Sequence, residues 1–291
     1  MAFLADTFFF DNASCDDYEL VLAGIDGGGD SNSAFASAPE ISDVYLPRKW
    51  RSHFYGVTRP EKLTFELSCM LTPCRIDAEE YLTREEIETI SRWLTSPDSY
   101  RWLQIQQEDM MTDGSNPTAL YRYRCLVTGL ELIFVNDYPC GVRITVTCDS
   151  PYAYLPHYST TRTVTINGQP TTVSIMNSAT PERGVNPVLT FDLSDDLEDE
   201  IGPIKINNTT TGEELTISTL PTTVRHFVVD CERQIISADD GSNLYQYCNF
   251  VFPHLARGTN SLTVSISGPN IQTPPSITLD IDCDFPVDIG A

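Results

Sequence analysis

Side chains that could carry chemistry near neutral pH are few in this 291-residue chain. The imidazole group is the usual acid or base at that pH, and the chain has four: His53, His157, His226 and His254. None lies in a hydrolase elbow, a zinc-protease helix, a phosphate-binding loop or a kinase signature, and no pair of carboxylates is singled out by its spacing. The sequence therefore predicts a protein that is not an enzyme and assigns no catalytic, cofactor-binding or metal-binding residue. A cell-wall hydrolase stays an alternative, because catalytic groups can assemble in space without a motif.

The nine cysteines also form no recognisable site. They are scattered at positions 15, 69, 74, 125, 140, 148, 231, 248 and 283, with no C-x-x-C pair. Cys69 and Cys74 are close, but no cysteine or histidine near them completes a tetrahedral zinc site. Cys125 and Cys148 fall within strand patterns and are expected to be buried thiols, as in a protein that folds in a reducing compartment. The acidic run at residues 195–200 lacks the spacing of a calcium loop, so we expect a solvated loop.

Acidic side chains outnumber basic ones, 41 against 18, for a formal net charge of −23. Residues 1–155 hold 24 of the acidic and 12 of the basic side chains, which leaves 17 and 6 for the rest, so both halves are acidic. Such a surface repels phosphate backbones, and we predict no specific nucleic-acid binding. A negative lining would still suit a conduit through which DNA passes without sticking. The chain starts without a basic leader and lacks the roughly 20 consecutive apolar residues of a membrane span, so neither export nor membrane association is expected.

The first half of the chain is predicted to contain one helix. It is predicted over residues 83–96, because Thr83 and Glu86 have the spacing of a capping box and Pro97 cannot continue a helix. Its apolar residues recur at helical spacing: Ile87, Ile90, Trp93 and Leu94. This stripe should pack against strands, and the helix is expected to support a β domain from one side.

Strand patterns surround this helix. They are predicted at residues 63–68, 100–105, 121–127 and 142–148. The last must end before Pro151, because proline cannot donate to a ladder, and the chain should leave the sheet there. We therefore predict two domains, residues 1–156 and residues 157–291.

The N-terminal residues and the second domain also read as β structure. Residues 7–12 and 18–26 are predicted as strands around a turn, and the Gly/Ser/Ala-rich residues 27–43 as a flexible arm or long turn. In the second half, Asn-Gly at 167–168 predicts a hairpin between residues 163–166 and 172–175. Further strands with no helix are predicted at residues 188–193, 204–207, 214–218, 224–229, 245–252, 261–267 and 276–281.

The order of these elements resembles the distal tail proteins of siphophages, which are long-tailed, non-contractile bacteriophages. The first half contributes the aromatic strand and turn at residues 8–22, the helix and strand at residues 82–105, and the Pro-Tyr ending at residues 148–154. The second half contributes residues 212–217, 227–233 and 252–264. No single motif decides the matter, and the resemblance rests on their order along one chain.

The resemblance implies a mainly β fold: an N-terminal β-barrel or sandwich with one helix, followed by a galectin-like jelly-roll sandwich. It implies a hexameric ring at the tail tip of the virion, made in the host cytoplasm and surrounding the DNA conduit. The implied partners are further copies of the chain, the tail tube protein and a tail-associated lysin-like hub, together with the tape-measure protein and, in some phages, receptor-binding proteins. No cofactor is implied.

A carbohydrate-binding adhesion module is the main alternative, because jelly-roll sandwiches also bind sugars. An aromatic cluster in the second half would favour it. All three tryptophans, Trp50, Trp93 and Trp102, lie in the first domain, which weakens that interpretation.

Overall fold

The computed structural model describes residues 7–23, 40–58, 61–72, 81–107, 118–193, 200–268 and 276–288. The chain divides into two compact units, residues 1–156 with 288–291 and residues 157–287. The fold is mainly β, with antiparallel sheets and, in the described ranges, a single α-helix, as the sequence predicted. We call the two parts unit 1 and unit 2.

Unit 1 is built on one curled antiparallel sheet. Its strands are β1 (Thr7–Phe10), β2 (Ala13–Ser14), β3 (Leu20–Leu22), β4 (Glu40–Val44), β5 (His53–Thr58), β6 (Thr64–Leu71), β7 (Arg101–Gln107), β8 (Thr118–Val135), β9 (Tyr138–Cys148) and β10 (Ala153–Tyr154). The sheet order is β2-β1-β7-β8-β9-β6-β3, β10 pairs with β8, and β4 and β5 form a separate pair. If the sheet were flat, the five strand spacings between β1 and β3 would separate them by about 24 Å. Cα atoms of β1 and β3 nevertheless lie within 8 Å of one another, so the sheet curls.

The inner face of this sheet follows the predicted alternation. On β9, Val142, Ile144, Val146 and Cys148 are buried. Cys125 on β8 is directly opposite Cys148 and is fully buried too, which confirms that both thiols lie in the core. β9 ends at Cys148, before Pro151, as expected.

The helix α1 (Arg84–Thr95) begins and ends as predicted. The Glu86 N–H donates to Thr83 Oγ1 at 3.3 Å, and the Thr83 N–H donates to Glu86 Oε2 at 2.7 Å, which completes the capping box. Thr83 and Glu86 are therefore held by reciprocal hydrogen bonds that depend only on local sequence.

The apolar stripe of α1 packs against the start of the chain. Ile90 and Leu94 are buried, whereas Trp93 is half-buried. The Trp93 indole stacks on Tyr18, with 4.1 Å between ring centroids and 8° between planes, and its Nε1–H donates to the Phe10 carbonyl at 3.1 Å. The helix therefore fastens β1 and the 3-10 helix Cys15–Tyr18 to unit 1.

Unit 2 consists of two antiparallel sheets. Its strands are β11 (Tyr158–Thr165), β12 (Thr171–Asn177), β13 (Val188–Leu193), β14 (Ile204–Asn208), β15 (Glu213–Ile217), β16 (His226–Asp230), β17 (Ile235–Ala238), β18 (Gly258–Ile266), β19 (Ser276–Cys283) and β20 (Pro286–Val287). One sheet has the order β11-β19-β13-β16-β17 and the other β12-β18-β14-β15. Alternate residues of each long strand are buried, so the two sheets enclose one core.

The predicted hairpin at residues 163–175 is wrong. β11 pairs with β19 and β12 pairs with β18, so these consecutive strands belong to different sheets. The Gly168 N–H donates to the Ile266 carbonyl at 2.8 Å, which draws the turn onto β18 rather than closing a ladder. An Asn-Gly turn is compatible with a hairpin and with a connection between two sheets. Here each strand buries one face against the common core from opposite sheets, which selects the connection between sheets.

Two further predicted elements differ. Residues 245–252 are not a strand: a 3-10 helix, Leu244–Tyr247, is followed by an irregular segment. Near the N-terminus, the predicted strand at residues 18–26 begins at Leu20, because Cys15–Tyr18 forms the other 3-10 helix; residues 24–26 lie outside the described ranges. Both helices are one turn long, too short for a periodic signal.

Buried asparagines hold the loops of unit 2. Asn260 is fully buried, and its Nδ2 donates to the carbonyls of Ala256 at 2.6 Å and Gly258 at 3.0 Å. Its Oδ1 accepts from the Ala256 N–H at 2.9 Å and from Asn208 Nδ2 at 3.0 Å. One side chain therefore satisfies the peptide groups of the turn that precedes β18.

Candidate assembly surfaces

The β4–β5 hairpin, residues 40–58, is exposed almost throughout. Ile41 lies opposite Val57 and Asp43 opposite Phe54, with a bulge between the two pairs. Because side chains two residues apart share a face, these four form one face of the hairpin. The large apolar side chains of the hairpin are all exposed: Ile41, Val44, Tyr45, Leu46, Trp50, Phe54, Tyr55 and Val57. Within the described ranges, no other part of the chain buries these side chains.

The turn of this hairpin is basic. Arg48, Lys49 and Arg51 surround Trp50, whose side chain is fully exposed. The Lys49 N–H donates to the Leu46 carbonyl at 3.1 Å, and this bond closes the turn. Three positive charges in four residues stand out in a chain of net charge −23.

A second exposed apolar surface lies at the tip of the β8–β9 hairpin, residues 131–138. Its large side chains are Leu132, Phe134, Val135 and Tyr138. The turn residues Asn136 and Asp137 have φ of 50° and 68°, the left-handed pair that a tight hairpin requires. Glu131 and Asp137 are exposed; Glu131 lies opposite Arg143 on β9, so the net negative charge at this tip comes from Asp137.

The β4–β5 hairpin and the β8–β9 tip together hold all twelve exposed large apolar side chains found in the described residues of unit 1. Exposed apolar clusters of this kind mark surfaces that bind other proteins. The β4–β5 hairpin was not predicted from the sequence. The flexible arm or long turn predicted at residues 27–43 is wrong at its C-terminal end, where β4 (Glu40–Val44) begins. The aromatic and β-branched run His53–Thr58 was the signal that could have revealed the hairpin.

Three of the four histidines lie next to carboxylates. His157 lies between Asp282 (Nε2–Oδ1 3.2 Å) and Asp284 (Nδ1–Oδ1 2.8 Å). His226 Nδ1 is 2.5 Å from an Asp192 carboxylate oxygen, and His254 Nδ1 is 2.6 Å from a Glu213 carboxylate oxygen. His53 contacts the Tyr55 ring in the β4–β5 hairpin, so the four imidazoles lie in four separate environments.

The described part of the chain offers no candidate metal site. There, no three His, Cys, Asp or Glu side chains come close enough to hold a metal ion. The predicted acidic loop lies outside the described ranges apart from Glu200, and so does Cys74. No helix in the same ranges is long and apolar enough to cross a membrane.

The buried cysteines are poor nucleophiles. Burial raises the pKa of the Cys15 thiol to about 11 and the pKa of the Cys148, Cys231 and Cys283 thiols to about 12. These thiols are protonated at neutral pH, and they act as small core side chains.

In unit 2, an exposed aromatic ring stacks on a half-buried one. Phe250 stacks on Tyr245 with 6.0 Å between ring centroids and has a φ of 60°, an unusual backbone angle for a bulky residue. The Tyr245 hydroxyl accepts from the Ile236 N–H at 3.1 Å and donates to the Gln234 carbonyl at 3.4 Å, which covers the free edge of β17. Tyr245 therefore has a structural task, while the Phe250 ring remains open to solvent.

Sequence comparison assigns unit 1 to a family. Residues 3–150 match the family described as the phage tail protein N-terminal domain, which is just over half of the chain. The chain belongs to this family and is a tail component of a bacteriophage. No curated protein matches the chain in sequence.

The whole fold is similar to that of phage hub proteins. The SPP1 Dit protein, described as a paradigm of the hub adsorption apparatus in phages that infect Gram-positive bacteria, superposes with a TM-score of 0.56 and 13% identity, covering 96% of this chain and 98% of its own. A chain of the phage P2 baseplate in its activated conformation with calcium has a TM-score of 0.53 and 8% identity, covering 97% and 98%. A chain of the same baseplate with strontium has a TM-score of 0.50 and 8% identity, covering 96% and 97%. These comparisons confirm the resemblance to distal tail proteins.

Proposed function

We propose that this chain forms a hexameric ring at the tip of a siphophage tail, where it joins the tail tube to the tip or baseplate and surrounds the DNA conduit. Residues 1–156 form the ring, and residues 157–291 form a galectin-like sandwich. The partners are the tail tube protein, a lysin-like tip hub and, in addition, tape-measure and receptor-binding proteins. The role is structural, without catalysis or cofactor, in a virion protein made in the host cytoplasm.

The exposed β4–β5 hairpin is the observation that carries this proposal. A two-stranded hairpin is at best marginally stable in water by itself. Its eight exposed large side chains present on the order of 1,000 Å², taking about 200 Å² for each fully exposed one. A stable interface needs about 800 Å² from each partner, so this hairpin alone supplies enough surface for one.

Two features support a ring in particular. A closed ring repeats one head-to-tail contact, so each copy must carry two different surfaces, and unit 1 carries two separate apolar clusters. The net charge of −23 suits a wall around moving DNA, because it disfavours adhesion of phosphates. The family match at residues 3–150 covers the part of the chain that holds both clusters.

Native mass spectrometry and electron microscopy of the purified full-length chain test the ring. We expect particles of six copies with a central opening. Trp50→Ser combined with Phe54→Ser should abolish them, because these side chains are exposed in the single chain and their loss removes only intermolecular contacts. A chain that stays monomeric at every concentration, also with tail tube and hub proteins present, would refute the proposal.

Carbohydrate binding by unit 2 is a second candidate, favoured by the open face of Phe250. Aromatic rings held outward on a constrained backbone serve as stacking platforms, and strain of this kind concentrates at functional sites. A glycan array probed with the full chain and with Phe250→Ala tests it. Binding to a defined glycan that the variant loses would support an adhesion role, and absence of binding to bacterial wall glycans would remove it.

A further inference from the structure

We infer that the β4–β5 hairpin of one copy packs onto the β8–β9 tip of the next copy. The inference rests on the ring proposed above and names the two surfaces that meet in it. It assigns both exposed apolar clusters of unit 1 to a single contact, repeated around the ring.

The first argument is the number of available surfaces. A head-to-tail contact joins two different patches of the same chain. Among the described residues of unit 1, every exposed large apolar side chain belongs either to the hairpin or to the tip. If the hairpin packed instead on another described surface of the neighbour's unit 1, that surface would expose no large apolar side chain, and eight apolar side chains would pack on it poorly.

The second argument is the match of shape and side-chain type. A six-residue strand such as β5 is about 20 Å long, so the hairpin can reach across a neighbouring domain surface. The tip offers two aromatic rings, Phe134 and Tyr138, beside two aliphatic side chains. Trp50 and Phe54 are aromatic anchors of the kind that dominate binding energy at interfaces.

The third argument is charge. The turn of the hairpin carries Arg48, Lys49 and Arg51, whereas the turn of the tip carries Asp137. Copies of an acidic chain repel one another in most orientations, and a basic turn meeting an acidic tip selects one of them. The same charges would disfavour contact between two hairpins or between two tips.

Two complementary variants test the pairing in the full chain. The hairpin variant carries Trp50→Asp and Phe54→Asp, and the tip variant carries Phe134→Asp and Tyr138→Asp. Each should weaken self-association at least about 30-fold, the ratio expected when an interface hot spot is lost. Mixed in equal amounts, they should form a dimer of one copy of each and nothing larger, because one intact hairpin and one intact tip remain to meet.

The control is Phe250→Asp in unit 2. Phe250 is 61% exposed and Phe134 is 59% exposed, so the two changes are matched in residue type and exposure. The control should assemble like the unaltered chain. Circular dichroism of all variants should show unaltered β structure, since each replaced side chain is exposed.

Different failures have different meanings. If the unaltered chain forms rings and the tip variant also does, or if the mixed variants stay monomeric, the pairing is wrong and the ring stands. If the unaltered chain forms no ring under any condition, both proposals fall.

Photocross-linking gives a second, independent readout. Benzoylphenylalanine in place of Trp50 should cross-link to residues 131–138 of an isotope-labelled second copy. Cross-links only to a tail tube or hub protein, or to another region of the second copy, would overturn the pairing.

Discussion

Removal of the Trp93 side chain should destabilise unit 1 strongly. The indole stacks on Tyr18, lies 5.7 Å from the Phe8 ring centroid and donates a hydrogen bond to the Phe10 carbonyl. It thus links α1 directly to the first strand. If α1 supports the sheet of unit 1 by packing, this side chain carries much of that support.

The expected magnitude follows from these contacts. Replacing a buried tryptophan by alanine costs about 3–5 kcal/mol, and Trp93→Ala should fall near 3 kcal/mol because the side chain is only half-buried. Trp93→Phe keeps a ring but leaves the Phe10 carbonyl without its donor, which should cost about 1 kcal/mol. For a unit of this size, about 2–4 °C per kcal/mol gives a fall in Tm of roughly 6–12 °C for the alanine variant.

Tryptophan fluorescence is the suitable assay. All three tryptophans lie in residues 1–156, so thermal or urea unfolding followed by this signal reports on unit 1 alone. Trp102 remains as a reporter in each variant. Trp50→Ala is the matched control at a concentration where the chain is monomeric, since Trp50 is fully exposed in the single chain and its loss should then leave Tm unchanged. A Trp93→Ala midpoint within 1 °C of that control would refute the packing role of the helix.

Three further outcomes are expected. Thr83→Ala should lower stability by about 1 kcal/mol in the same fluorescence assay, because it opens the capping box with Glu86; Thr83→Ser should not. Asn260→Ala should lower the stability of unit 2 by about 2–4 kcal/mol, because it leaves buried peptide groups without hydrogen-bond partners. Hydrogen exchange in the 256–260 peptides should then accelerate. The third concerns pH: burial raises the thiol pKa of Cys231 and Cys283 from 9.0 to about 12, so the folded state keeps protons that the unfolded state releases. Their contribution should be complete below about pH 9 and lost as pH rises toward 12, by about 1.4 kcal/mol per thiol and pH unit. Cys283→Ala should flatten that slope in urea unfolding followed by circular dichroism, and an unchanged slope would contradict the argument.

Local sequence signals predicted the elements that depend on local interactions. The capping residue, the apolar spacing and the proline of α1 lie within one segment, and the helix formed where they indicated. The alternating strand at residues 142–148 and its end before Pro151 were likewise correct. In these cases the interacting residues are close in sequence, so their spacing can be counted along the chain.

Pairing between distant segments was not predictable in this way. The Asn-Gly turn at residues 167–168 correctly indicated a reversal, but it could not show that β11 and β12 enter different sheets. The partners of those strands, β19 and β18, lie about 80 or more residues away. Only the shared core of the two sheets distinguishes a hairpin from a crossing.

By itself, the sequence determined the β class, the helix α1, the acidic composition and the likeness to phage distal tail proteins. The tertiary structure decided which apolar residues stay exposed to solvent once the cores are packed. Phe54 and Val57 look like core residues in the sequence, as Val142 and Ile144 do, yet the first pair is exposed and the second is buried. The physical reason is that burial depends on what packs opposite a strand, and for the β4–β5 hairpin the described chain supplies nothing. That surplus of apolar surface is what points to assembly.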